Sequence, residues 1–168
     1  MISILVEVRK AFGKFLKSYP YCFVYWIKWS EIEKRHGEYD EALEVLKRGL
    51  VAMEYLSIDI WIAYLELYHK LFNDHDEFDT AFRGWCETAV ENVGLNFHSD
   101  ILWERYIEWE HERRNLIFIT EIFRRLITIP TKLYNKHWDN FIAHVRDHHP
   151  RDVLGTNGLY FCFITTLY

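Results

Sequence analysis

Three tryptophans in this chain are each followed, three residues on, by a second aromatic: Trp26 and Trp29, Trp61 and Tyr64, Trp103 and Tyr106. In the first and third copies a glutamate follows seven residues after the tryptophan, at Glu33 and Glu110, whereas Tyr68 takes that place in the second. A fainter fourth copy pairs Trp138 with Phe141, so the tryptophans recur at steps of 35, 42 and 35 residues. A period of this length, built on helical offsets, is the signature of a stacked array of helical hairpins. It leaves little room for other fold classes.

The offsets 0, 3 and 7 fall within one narrow stripe of an α-helix, because 3.6 residues complete a turn. Trp26, Trp29 and Glu33 therefore face one neighbour, and Trp103, Tyr106 and Glu110 another. Each buried ring is worth about 2–3 kcal/mol, which assigns the aromatics to packing. A carboxylate on such a stripe needs a counter-ion. Arg48 lies fifteen residues after Glu33, and Arg125 fifteen after Glu110. The pattern predicts Glu33–Arg48 and Glu110–Arg125 ion pairs closing each hairpin.

Punctuation agrees with the period. The spacing predicts helices over 3–18, 21–36, 39–54, 58–72, 78–93, 99–113, 116–128 and 132–147. Pro20, Pro130 and Pro150 separate them, since proline lacks the N–H and restricts its predecessor. Ser57 with Asp59, and Ser99 with Asp100, offer N-cap chemistry ahead of two tryptophans. Gly37 and Gly94 suit left-handed helix ends, and Asn73-Asp74-His75-Asp76 reads as the polar loop that lengthens the second copy. The second helices bring Ala42, Val45, Leu46 and Leu50, then Ile119, Ile122, Phe123 and Leu126, as packing faces. The fold class is all-α, a right-handed α-α superhelix of hairpins. Residues 1–18 form the second helix of an incomplete repeat, followed by repeats at 19–56, 57–96 and 97–130. Residues 131–154 open a partial repeat, and 155–168 form an atypical tail.

Composition excludes several functions. A net charge of −5 argues against unaided nucleic-acid binding, which draws on a basic surplus. Cys22, Cys86 and Cys162 are odd in number and lack metal spacing, a pattern of free thiols in a reducing compartment. No apolar run approaches the ~20 residues of a membrane span. There is no glycine-rich phosphate loop, no serine elbow and no Cys–His pair in catalytic context. His144 and His148 stand four apart on one helix, but no third ligand is evident. Neither catalysis, a metal nor a cofactor is expected.

The tryptophan, second aromatic and trailing glutamate resemble half-a-tetratricopeptide (HAT) repeats rather than tetratricopeptide repeats, whose Trp-x-x-Leu-Gly-x-x-Tyr pattern is missing. The linkers sharpen the likeness. Tyr19-Pro20-Tyr21-Cys22 leading to Tyr25-Trp26, then Glu33-Lys34-Arg35-His36 and Arg48-Gly49-Leu50, resemble a HAT-repeat splicing-factor family associated with the U1 small nuclear ribonucleoprotein. So do Ser99-Asp100, Leu102-Trp103-Glu104, Tyr106-Ile107 and Trp109-Glu110, together with Ile129-Pro130-Thr131, Leu133-Tyr134 and Pro150-Arg151-Asp152. The resemblance covers about residues 8–154. It implies a nuclear, non-catalytic scaffold that binds U1 proteins and helps engage 5′ splice sites. It also implies dimerisation, with itself or a paralogue, through repeats nearer the C-terminus of the longer protein. Residues 155–168 depart from the family pattern and read as a truncated or alternative ending. The competing readings are a scaffold of another RNA-processing complex such as mRNA 3′-end cleavage, a directly RNA-binding module, and a helical subunit of a prenyltransferase-like enzyme.

Overall fold

The computed structural model describes residues 2–153; the expectations for the tail at 155–168, Cys162 included, lie outside them. The described residues form eight helices: α1 Ile2–Ser18, α2 Phe23–Arg35, α3 Tyr39–Ala52, α4 Ile58–Phe72, α5 Phe78–Val93, α6 Asp100–Glu112, α7 Leu116–Leu126 and α8 Tyr134–Asp147. A short helical stretch follows at 150–153. No strand occurs among the described residues, and none of their helices is long and apolar enough to cross a membrane. The fold class is the all-α helical repeat that the period demands.

Two compact units divide after Val93. In the first, each helix packs on the next from α1 through α5, and α2 also meets α4. In the second, α7 packs on both α6 and α8. The amphipathic faces explain these contacts. On α3 the residues Ala42, Val45, Leu46, Gly49 and Leu50 are all buried, and on α7 so are Ile119, Ile122, Phe123 and Leu126.

Helix ends follow two local devices. Ser57 caps α4 as expected, its hydroxyl oxygen accepting from the Ile60 N–H at 3.3 Å. Ser99 stands at the start of α6 but makes no cap with its side chain; its hydroxyl instead donates to the Gly94 carbonyl at 2.7 Å. The ends of α2, α3 and α6 use paired backbone turns of the Schellman type. Gly37 N–H reaches Lys34 O at 3.1 Å and Glu38 N–H reaches Glu33 O at 3.0 Å, with Gly37 at φ +83°. The same pair recurs after α6, where Arg114 N–H meets His111 O at 3.0 Å and Asn115 N–H meets Glu110 O at 3.1 Å. Arg114 adopts φ 55° there, a conformation that is costly for a residue with a Cβ. After α3 the turn uses Glu54 and Tyr55, at φ 52° and 62°.

Close approach of α2 and α3 depends on one glycine. A Cβ at Gly49 would lie 2.9 Å from Cγ of Trp26 and 3.1 Å from its Cβ, atoms near the root of the side chain that cannot swing aside. Gly49→Ala removes a helix-propensity penalty of about 1 kcal/mol, yet overpacking costs about 1–3 kcal/mol. The overpacking wins. The variant is expected to melt at a lower urea concentration than the wild type, and unchanged or raised stability would show that the contact can relax.

Candidate functional site

The repeat stripe has the same frame in every first helix. Counting from the first helical residue, the third, sixth and tenth positions onward are Trp26, Trp29 and Glu33 in α2; Trp61, Tyr64 and Tyr68 in α4; Trp103, Tyr106 and Glu110 in α6. Eight of these nine side chains are buried, Tyr68 being the partly open one. None of the eight is left to face a ligand.

Each repeat tryptophan is pinned by its indole N–H. Trp26 Nε1 donates to the Pro20 carbonyl at 2.9 Å, Trp61 Nε1 to the Tyr55 carbonyl at 2.8 Å and Trp103 Nε1 to the Gly94 carbonyl at 3.0 Å. All three acceptors belong to the turn that leads into the tryptophan's own helix. The bond satisfies a polar atom that burial would otherwise leave without a partner. It also fixes where the incoming chain meets the helix. Gly94 O accepts from Ser99 as well, using both lone pairs.

The second aromatics complete the packing. The Trp26 and Trp29 rings stack at 6.1 Å and 15°. Trp61 meets Tyr64 edge-on at 6.2 Å. Where the second copy lacks the glutamate, the Tyr68 ring joins Tyr64, Phe72, Phe78, Phe82 and Trp85 in one aromatic cluster.

Glu33 is fully buried, and its counter-ion is Arg9 rather than the expected Arg48. Arg9 on α1 donates through Nε at 2.9 Å and Nη2 at 2.7 Å, one bond to each carboxylate oxygen. The Trp29 N–H adds a third bond at 2.9 Å. The Arg9 hydrogen bond holds the Glu33 carboxyl below its usual range, against the upward push of burial. Arg48 instead lays its guanidinium over the Trp29 ring, 4.8 Å from the centroid, and pairs with Glu41 on its own helix at 3.2 Å. The fifteen-residue offset correctly brings Arg48 to the stripe, but to an aromatic face. The ion pair therefore joins α1 to α2 instead of closing α2 on α3. Nothing in the spacing of Arg9 marks it as the partner, because a bidentate contact between helices has no fixed sequence offset.

In the third copy Arg125 lies over the Trp103 ring at 5.2 Å, and Glu110 is fully buried. The fourth copy needs a correction. Trp138 is 44% exposed, and its ring reaches Phe141 at 6.3 Å. The frame that holds in α2, α4 and α6 falls in α8 on His137, Asn140 and His144, and the two histidines are the buried residues of that helix. Residue type pointed to Trp138 and Phe141; distance from the helix start would have found the histidines.

Those histidines border a cavity of about 390 Å³ between α6 and α8, floored by Phe123 of α7. His144 Nε2 lies 3.0 Å from the Thr120 hydroxyl. The rings of His144 and His148 are 4.9 Å apart. Burial pushes His111, His137 and His144 below the usual histidine range. Among the described residues no three of His, Cys, Asp and Glu are grouped to hold a metal ion; the pair His144 and His148 finds no third ligand there.

Residues 3–143 match the family model described as the PRP39 N-terminal HAT repeat. The chain belongs to the PRP39 family of HAT-repeat proteins. It is 44% identical to mouse (Mus musculus) pre-mRNA-processing factor 39 over 151 residues, 89% of this chain and 23% of that protein. It is 24% identical to the U1 small nuclear ribonucleoprotein component PRP42 of Saccharomyces cerevisiae, over 86% of this chain and 26% of that one. The mRNA 3′-end-processing protein RNA14 of Gibberella zeae shares 22%, over 83% of this chain and 15% of its own. The PRP39-family chain thus spans about a quarter or less of the relatives it matches.

Removing the counter-ion separates the two arginines. Arg9→Met leaves Glu33 buried without a counter-ion, held only by the Trp29 N–H, and is expected to cost about 3 kcal/mol, while Arg48→Met costs under about 1 kcal/mol. Because the folded carboxyl titrates below the unfolded one, the stabilisation is present above the unfolded carboxylate range and is lost as pH falls through the folded value. Urea melts of wild type and Arg9→Met should therefore differ most at neutral pH and converge as the pH falls below the usual carboxylate range. Equal losses for the two variants would contradict the assignment.

Proposed function

We propose that this chain is a non-catalytic, protein-binding scaffold of the pre-mRNA splicing machinery, located in the nucleus and associated with proteins of the U1 small nuclear ribonucleoprotein. The observation that carries the reading is the PRP39 HAT match across residues 3–143, joined by relatives named as a pre-mRNA-processing factor and a U1 component. The geometry supports it in one respect. The residues that recur are spent on packing, as expected of a rigid support whose exposed side chains select the partner. The division into repeats at 19–56, 57–96 and 97–130, and dimerisation of the longer protein, belong to the same proposal. Direct RNA contact by this chain is disfavoured by its net charge of −5.

Affinity purification of the tagged chain from nuclear extract tests the reading. U1 proteins are expected to co-purify and to remain after ribonuclease digestion. Their loss on digestion would favour the RNA-binding alternative, and recovery of 3′-end cleavage factors in their place would favour the RNA14-like one.

The Glu110–Arg125 pair is retained as a proposal, since both belong to the buried third stripe and Arg125 already reaches Trp103. A double-mutant cycle with Glu110→Gln and Arg125→Met should give a coupling of about 1 kcal/mol or more; additive losses would refute it.

A further inference from the structure

The fourth stripe carries two histidines and an asparagine where the other first helices carry mostly aromatic rings. His137, Asn140 and His144 stand on α8 where Trp103, Tyr106 and Glu110 stand on α6. The cavity of about 390 Å³ lies beside them. Its walls are short of hydrogen-bond partners. His137 is 1% exposed, yet neither of its ring nitrogens has a protein partner.

For His144 the tautomer follows from its neighbour. The Thr120 hydroxyl donates to the Leu116 carbonyl at 2.9 Å, so toward His144 it accepts, and the proton resides on Nε2 at 3.0 Å. Nδ1 is then a bare acceptor, buried and without a partner. Buried nitrogens of this kind are costly unless something completes them.

The surrounding charge selects what that is. Lys136 engages Glu104 at 2.6 Å, which leaves the carboxylates of Glu108 and Asp147 on the walls. An anion is repelled by these groups. A metal ion finds no three ligands grouped among the described residues. A planar cation with several separated N–H donors suits the unprotonated nitrogens of His137 and His144 and the carboxylates, and its alkyl stem and flat face suit Phe123. We propose that the groove between α6 and α8 is a receptor for an arginine side chain presented by a segment of a partner protein. The proposal rests on the scaffold reading only for the source of that segment.

The test uses the 168-residue chain at pH 7.5 and follows its histidine ring resonances by NMR. The probe is acetyl-Gly-Arg-Gly-amide, with the matching citrulline and lysine peptides beside it. The arginine peptide is expected to shift His137 and His144 saturably, with the neutral citrulline peptide at least about tenfold weaker and the lysine peptide between them. Glu108→Gln with Asp147→Asn should weaken arginine binding about tenfold without lowering the melting temperature. No saturable shift, equal binding of citrulline, or indifference to the double substitution would overturn the proposal, as would tighter binding of inorganic phosphate at the same resonances. Failure here while U1 proteins still co-purify would remove the groove and leave the scaffold. Arginine binding with no U1 proteins recovered would do the reverse.

Discussion

The bond from a buried indole N–H to a carbonyl in the preceding turn is the constraint on which each hairpin depends. It holds Trp26 against Pro20, Trp61 against Tyr55 and Trp103 against Gly94. The ring thereby faces the stripe, and the angle at which the chain enters the helix is set by the same contact. Net, such a bond is worth only about 1 kcal/mol, but a missing partner would cost more. The ring's burial then requires a close neighbour, which α3 provides by presenting Gly49 to the Trp26 ring. Orientation comes from the polar edge, and most of the stability comes from the apolar face.

Charge is arranged around this apolar frame. Glu33 receives three hydrogen bonds, two from Arg9 and one from Trp29, so its burial is satisfied by groups on two helices. The tie between α1 and α2 thus adds an ion pair to the ring contacts Phe12–Trp29 and Phe15–Tyr25, whereas the tie between α4 and α5 is the aromatic cluster around Tyr68. Arg48 contributes through the face of Trp29. A guanidinium can serve a ring or a carboxylate equally well, and the packing of helices decides which.

Much of the fold was legible because it is written in side-chain identity. Tryptophans at a near-constant step, prolines between helices and a serine ahead of Trp61 fixed all eight helices to within two residues at each end. What escaped was written elsewhere. The acceptors of the three indole bonds are backbone carbonyls, which leave no mark on the choice of residue. The partner of Glu33 lies on α1, outside the α2–α3 pair, where sequence distance carries no rule. In α8 the eye follows Trp138, but position along the helix places His137 and His144 inside. The candidate groove was hidden for that reason, since it arises from what the stripe lacks.

Acid sensitivity is unevenly distributed along the chain. At the α1–α2 end the tie is a carboxylate held below its usual range, and around α8 it is a set of histidines kept neutral by burial. The region between, α4 with α5, is bound mainly by the aromatic cluster around Tyr68. As pH drops, unfolded histidines take up protons more readily than buried ones, so the α8 end loses stability first. The carboxylate end follows only in stronger acid. Acid therefore loosens the histidine packing around α8 before it reaches the tie between Arg9 and Glu33.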